Sequence, residues 1–130
     1  ILLKVPGENK EPIKNDLSRE DWIEFARPVW YGIKESDTLS TREAREEKDE
    51  KHICPLQLGT IDRCIRLWSN KGDTVFSPFT GIGSEGYQSI LQGRKFIGAE
   101  LKPSYFKTAC VNMGKALNRT KELTLFQGDH

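Results

Sequence analysis

The densest chemistry in this sequence lies along Ser77-Pro78-Phe79-Thr80-Gly81-Ile82-Gly83-Ser84-Glu85-Gly86. Gly81, Gly83 and Gly86 have G-x-G-x-x-G spacing and follow a β-branched and aromatic run, Thr74-Val75-Phe76. Glycines in such a turn take positive φ and let the backbone approach a ligand. A helix starting behind them points its first N–H groups at the same space. In parallel α/β sheets, ligands bind beyond the carboxyl ends of the strands. Glu100 closes the next apolar run, Lys95 to Glu100. It falls about 20 residues after the glycines, where an acid can accept hydrogen bonds from both ribose hydroxyls of an adenosine.

Read literally, this is a dinucleotide fingerprint. Two residues argue for another ligand. Phe79 sets a ring beside the turn, and Glu85 sets a carboxylate in the first helical turn, where a pyrophosphate would sit. Repulsion between those anions outweighs the ~0.3–1 kcal/mol that a helix dipole supplies. S-adenosylmethionine has no phosphate and carries a sulfonium and an ammonium, so it suits the site better than NAD or FAD. A glycine turn without any ligand is the third reading. The same residues also have plainer explanations: Phe79 as core, Gly81 and Gly83 as turn glycines, Glu100 as an exposed strand-end acid.

The elements that must position these residues follow from periodicity. Leu58, Ile61, Ile65 and Trp68 recur at helical spacing, and Asn70 and Gly72 can end that helix. The spacing predicts a strand at Thr74–Ser77, a helix from the glycine turn to about Leu91 stopped by Gly93, and a second strand at Lys95–Glu100. Pro103 suits the first turn of another helix, lined on one side by Phe106, Ala109, Cys110, Met113 and Leu117. Leu123-Thr124-Leu125-Phe126 reads as a last short strand. Helix, strand, helix, strand, helix implies an α/β fold with a doubly wound parallel sheet flanked by helices from about Pro55 onward. Upstream, residues 1 to about 20 form an extended lead-in. Ser18 and Asp21 can start a short helix through Trp22, Ile23, Phe25 and Ala26, which Pro28 ends. Trp22, Trp30 and Trp68 are expected in the core and Tyr31 packed. The mixed-charge run Arg42 to Lys51 is expected as a solvated helix face or mobile loop.

Composition sets outer bounds. The chain has 130 residues, enough for one small domain. Its formal net charge of +1 gives no global basic field. No apolar run approaches the roughly 20 residues of a membrane helix, and no signal-peptide pattern opens the chain. Cys54, Cys64 and Cys110 form no CxxC pair and are expected as buried, reduced thiols. His52 and Cys54, without a second ligand pair, do not make a zinc site. Arg94 and Lys102 are expected in solvent, with phosphate contact as the lesser reading.

The segment from Ser77 to Ser84 resembles the cofactor motif of the DNA amino-methyltransferases that act on adenine N6 or cytosine N4. Their usual form is Asp-Pro-Phe-x-Gly-x-Gly-Thr, with an acid where this chain has Ser77. Gly93 to Leu101 is similar to their next strand, with Glu100 as the ribose-binding acid, and Lys102-Pro103-Ser104-Tyr105-Phe106 to the helix that follows. His52-Ile53-Cys54-Pro55-Leu56-Gln57 stands where the family has His-Pro-Thr-Gln-Lys-Pro, too altered to assign a ligand role to Leu56 or Gln57. Pro28-Val29-Trp30 through Gln57 is similar to phage and prophage members.

The resemblance implies a partial Rossmann-like methyltransferase fold. It implies S-adenosyl-L-methionine as cofactor, held by Phe79, Gly81, Gly83, Glu100 and Leu101. It also implies the permuted group, in which the cofactor motif comes last. The catalytic motif of that group is Asp, Ser or Asn, then Pro-Pro and an aromatic. None of the six prolines here is adjacent to another, so that motif is absent and no catalytic or metal-binding residue is assigned. The chain opens on Ile1, not Met, which fits a C-terminal fragment or a processed product. Residues 1–50 are expected as a lead-in or the end of the target-recognition region, and 51–130 as the cofactor-binding part. The whole protein would flip a base from double-stranded DNA and methylate its exocyclic nitrogen. It is expected in the cytoplasm of a bacterial or phage-infected cell, in a restriction-modification setting, with no membrane partner and a homodimer left open. A cofactor-binding module without catalysis and an NAD-type domain are the rival readings.

Overall fold

The computed structural model describes residues 11–13, 17–41 and 54–126. The mixed-charge run from Arg42, His52 and most of the lead-in lie outside the described residues. The order of elements is α1 (Arg19–Phe25), α2 (Leu58–Trp68), β1 (Thr74–Ser77), α3 (Ser84–Leu91), β2 (Lys95–Gly98) and α4 (Pro103–Phe126).

β1 and β2 pair in parallel, with Thr74 opposite Lys95 and Ser77 opposite Gly98. β2 ends at Gly98, two residues before the Glu100 boundary read from the sequence. Backbone pairing nonetheless runs on, because Ala99 N–H donates to Ser77 O at 3.0 Å and Thr80 N–H to Ala99 O at 3.0 Å. Helix α3 lies against both strands and is flanked by α2 and α4. Val75 and Phe96 are half-buried and Ser77 is buried, whereas their alternates Phe76 and Ile97 remain 65% and 60% exposed. Side chains alternate across a strand, so one sheet face is covered and the other is open. The parallel α/β reading therefore holds, but the described residues supply only one of the two helix layers of a doubly wound sheet.

Helix α1 starts as its sequence requires: the Ser18 hydroxyl accepts from Asp21 N–H at 3.0 Å. It ends before Pro28, and Trp30 Nε1–H donates to the Phe25 carbonyl at 2.8 Å. Arg63 of α2 joins the two helices. It reaches the Glu24 carboxylate at 2.9 Å and lies 5.0 Å above the Phe25 ring.

Several expectations are corrected. Trp22 and Trp68 are 45% and 57% exposed and Tyr31 is exposed, because no described element covers those faces. Cys54, Cys64 and Cys110 are free but exposed. Arg94, expected in solvent, is buried. It donates to Ser69 O at 2.7 Å, Ser69 Oγ at 3.1 Å and Gln92 O at 2.6 Å, which fastens the end of α2 to the α3–β2 turn. The run Leu123–Phe126 is the last turn of α4, not a strand. On α4 the buried face is Thr108, Ala109, Asn112 and Ala116, while Phe106, Cys110 and Leu117 point outward.

Candidate functional site

Where β1 stops, the chain must turn sharply to start α3. Gly81 and Gly83 make that turn with φ of 55° and 88°, values that L side chains adopt only at a cost. Gly83 is the N-cap of α3. Neighbouring elements fix the turn at three points. Thr80 N–H is held by Ala99 beyond β2. Gly81 N–H donates to Glu100 Oε2 at 2.7 Å. The buried Asn112 amide of α4 donates to Ile82 O at 2.9 Å. The second Glu100 oxygen accepts from Lys102 N–H at 2.9 Å. Glu100 thus ties the glycine turn to the start of α4, and each of its oxygens keeps a lone pair for another donor.

A cavity of about 320 Å³ opens beside this turn. Its described wall comprises Cys54, Pro55 and Leu56 ahead of α2, Phe79 to Ile82 of the turn, Ser84 and Glu85 of α3, and Tyr105 of α4. Glu85 is the one formally charged side chain among them. Burial pushes its carboxyl above the ordinary value, against a smaller downward pull from its own backbone N–H. Lys102 Nζ lies 4.4 Å from the centre of the Tyr105 ring, and Lys102 is not part of the wall.

Of the residues expected to hold a ligand, Phe79 and Gly81 lie on this wall. Phe79 is 86% exposed, so its ring is not core. A Cβ placed on Gly81 would meet nothing within 4 Å, whereas one on Gly83 would come within 3.0 Å of Ala109 of α4. Gly81 therefore leaves open space at the turn, and Gly83 permits close packing of α3 on α4. Glu100 is one hydrogen bond from Gly81 but off the wall, and Leu101 is fully exposed next to it. Sequence reasoning assigned no role to Leu56 and passed over Tyr105 and Asn112. Tyr105 was within reach because it follows Pro103 in the segment that resembles the family's helix start. Asn112 was not, because a polar residue breaks the apolar stripe that periodicity seeks.

This arrangement suits an adenosyl compound lacking phosphate. Gly81 leaves an open cradle, Glu100 can accept ribose hydroxyls, and the described wall offers an acid but no base. A larger groove of about 730 Å³ lies between α1 and α2, lined in part by Glu24, Lys34, Asp37, Asp62 and Arg63. Glu24 pairs with Arg63 at 2.9 Å, and Asp62 faces Arg66 at 3.8 Å and accepts from the Gln92 amide. Among the described residues, no group of three or more His, Cys, Asp or Glu could hold a metal. No helix among them is long and apolar enough to cross a membrane.

Comparison with known proteins agrees with the geometry. The DNA methylase family model for N6 and N4 enzymes matches residues 3–111. The type II methyltransferase M.BglI of Bacillus subtilis is 33% identical over 119 residues, which is 90% of this chain and 31% of the relative. The orphan methyltransferase M.BamHII of Bacillus amyloliquefaciens is 47% identical over 102 residues, 78% of this chain and 36% of the relative. The chain thus spans about a third of the length of these relatives. A Thermus thermophilus protein assigned as a DNA modification methylase, solved complexed with S-adenosyl-L-methionine, superposes with a TM-score of 0.65 at 26% identity. That match covers 86% of this chain and 41% of the other.

Proposed function

This chain belongs to the DNA methylase family, and from that premise we propose that it is the S-adenosyl-L-methionine-binding portion of a site-specific DNA methyltransferase. The full protein transfers a methyl group to the exocyclic nitrogen of adenine (N6) or cytosine (N4) in double-stranded DNA. One observation carries the reading: an open glycine cradle, bonded through Gly81 to the strand-end acid Glu100, borders a pocket whose only charged side chain among the described residues is an acid.

In this reading Glu100 accepts the ribose hydroxyls while still holding Gly81. Phe79 and Leu101 would hold the adenosine from the exposed side, and Gly83 keeps the turn against α4. S-adenosylmethionine, when bound, supplies a methyl group activated by its sulfonium. The chain's own part is to hold and orient that donor. Support for assigning this work to 51–130 is that every described wall residue falls between Cys54 and Tyr105. The Pro-Pro-aromatic motif that engages the amine in the family is not among these 130 residues, so the acceptor side is assigned to the rest of the enzyme. The fitting place for such an enzyme is the cytoplasm of a bacterial or phage-infected cell.

Calorimetric titration of the purified chain tests this. S-adenosylmethionine or S-adenosylhomocysteine should bind, NAD should not, and Glu100→Ala should remove the binding. Tighter binding of NAD would overturn the assignment.

A further inference from the structure

On the reading that this pocket takes S-adenosylmethionine, we propose that Glu85 is a positioning residue. Its carboxylate anchors the α-ammonium of the methionine end and sets that tail at the start of α3. The argument begins with charge: Glu85 is the one formally charged side chain on the described wall, and it is an anion. A ligand that fills the pocket gives it a cationic partner, or the half-buried carboxylate loses its water and is driven towards its protonated form.

The cofactor carries two cations, and chemistry separates them. A sulfonium has no hydrogen to donate. A carboxylate touching its methyl group would also be a methyl acceptor: its oxygen would bond the methyl carbon as the sulfur–carbon bond broke, consuming donor and residue together. An ammonium has three donors, and its hydrogen bond to a carboxylate is charge-assisted and strong. Position agrees. Glu85 lies in the first turn of α3, past Gly81, which leaves room for the adenosyl part, so the two ends of the ligand would meet different stretches of the wall. Ser77, which stands where the family motif usually has an acid, is buried at the end of β1 and carries no charge. Glu85 is the acid this pocket has. Burial raises its proton affinity, and an ammonium beside it favours the ionised form again.

The test compares two neutral-sulfur ligands, so the sulfonium plays no part. S-adenosylhomocysteine has the amino-acid tail, and 5′-methylthioadenosine lacks it. Both are titrated calorimetrically into the 130-residue chain and into Glu85→Gln, with circular dichroism to check folding. Glu85→Gln should weaken S-adenosylhomocysteine about tenfold or more and leave 5′-methylthioadenosine unchanged. Unchanged binding of S-adenosylhomocysteine, or an equal loss for both compounds, overturns the proposal while the cofactor assignment stands. Failure of the unmutated chain to bind either compound overturns both. The deamino analogue of S-adenosylhomocysteine gives a check free of any mutation. It should bind the unmutated chain about tenfold or more weakly than the parent compound, and equal affinity overturns the proposal.

Discussion

Gly81 and Gly83 both take positive φ, yet substitution should affect them differently. At Gly81 an alanine Cβ meets no protein atom, so the cost is mainly backbone strain, about 1–2 kcal/mol. Gly81 also lies on the pocket wall, where an added methyl takes up space a ligand would use. Gly81→Ala should therefore stay folded and lose affinity for S-adenosylhomocysteine. At Gly83 the same methyl lands 3.0 Å from Ala109 Cα, and backbone cannot yield as a flexible side chain does. Gly83→Ala should lower the thermal midpoint more than Gly81→Ala; the reverse order would mean that the turn packs differently. Glu85 gives a pH signature in the ligand-free chain. Burial raises its folded-state pKa above the model-compound value of 4.5, so the native state holds its proton more tightly than the unfolded state. Stability from this group therefore falls as pH rises from about 4.5 through the folded-state value. Glu85→Gln removes that slope. The midpoint of the variant minus that of the parent should be more positive at neutral pH than at about pH 4. Asp62, also raised chiefly by burial, is common to both proteins and cancels in the difference. Much at this scale was legible in advance: glycines, prolines and a strand-end acid act through the backbone or through charge, which sequence displays directly. Arg94 was not legible, because its burial depends on two carbonyls, Ser69 O and Gln92 O, that only the fold brings beside it.

Among the elements, α2, β1, α3 and β2 follow their sequence signals closely, because Gly72, Gly81, Gly83 and Gly93 all turn the chain with positive φ between them. Helix α4 departs twice from its apolar pattern. It continues through Leu123-Thr124-Leu125-Phe126 despite the β-prone composition, since no proline interrupts a helix already under way. Thr120 and Thr124 also turn their hydroxyls onto the Leu117 and Thr120 carbonyls at 2.8 and 2.9 Å, as threonine can within a helix. The buried face of α4 is small and polar, because α3 approaches so closely through Gly83 that only Thr108, Ala109, Asn112 and Ala116 fit. Apolar periodicity cannot see a face chosen for size. The joint between α2 and the α3–β2 turn gives the prediction for this scale. Arg94→Ala strands the Ser69 and Gln92 carbonyls without their donors. At the usual penalty for unsatisfied buried groups this costs about 3 kcal/mol. Urea denaturation followed by circular dichroism should show it as a lower midpoint with little change in slope; a loss well under about 1 kcal/mol would mean that water reaches those carbonyls.

At the scale of the whole molecule, the chain presents the proposed donor site on an incompletely covered sheet. Phe76 and Ile97 stand side by side across the strands on the open face, and such an apolar pair signals contact with further structure. The chain matches only about a third of its relatives' length, which leaves room for that structure and for an acceptor site. Methyl transfer needs both. The exocyclic amine of a base is a weak nucleophile because its lone pair is delocalised into the ring. It must be flipped out, hydrogen-bonded and aligned with the methyl carbon. The described pocket holds one acid, hydroxyls and aromatic rings, and no paired prolines with an aromatic neighbour occur in the sequence. A net charge of +1 adds little drive to hold DNA. Without a positioned acceptor, roughly 7–11 kcal/mol of barrier lowering is forfeited, enough to take turnover below detection. The purified chain should therefore bind S-adenosylhomocysteine yet transfer no label from S-adenosyl-[methyl-³H]methionine into mixed-sequence DNA, run beside an active DNA methyltransferase. Incorporation by this chain that vanished with Glu100→Ala would show that it contains an acceptor site of its own, and the division of labour argued above would fall.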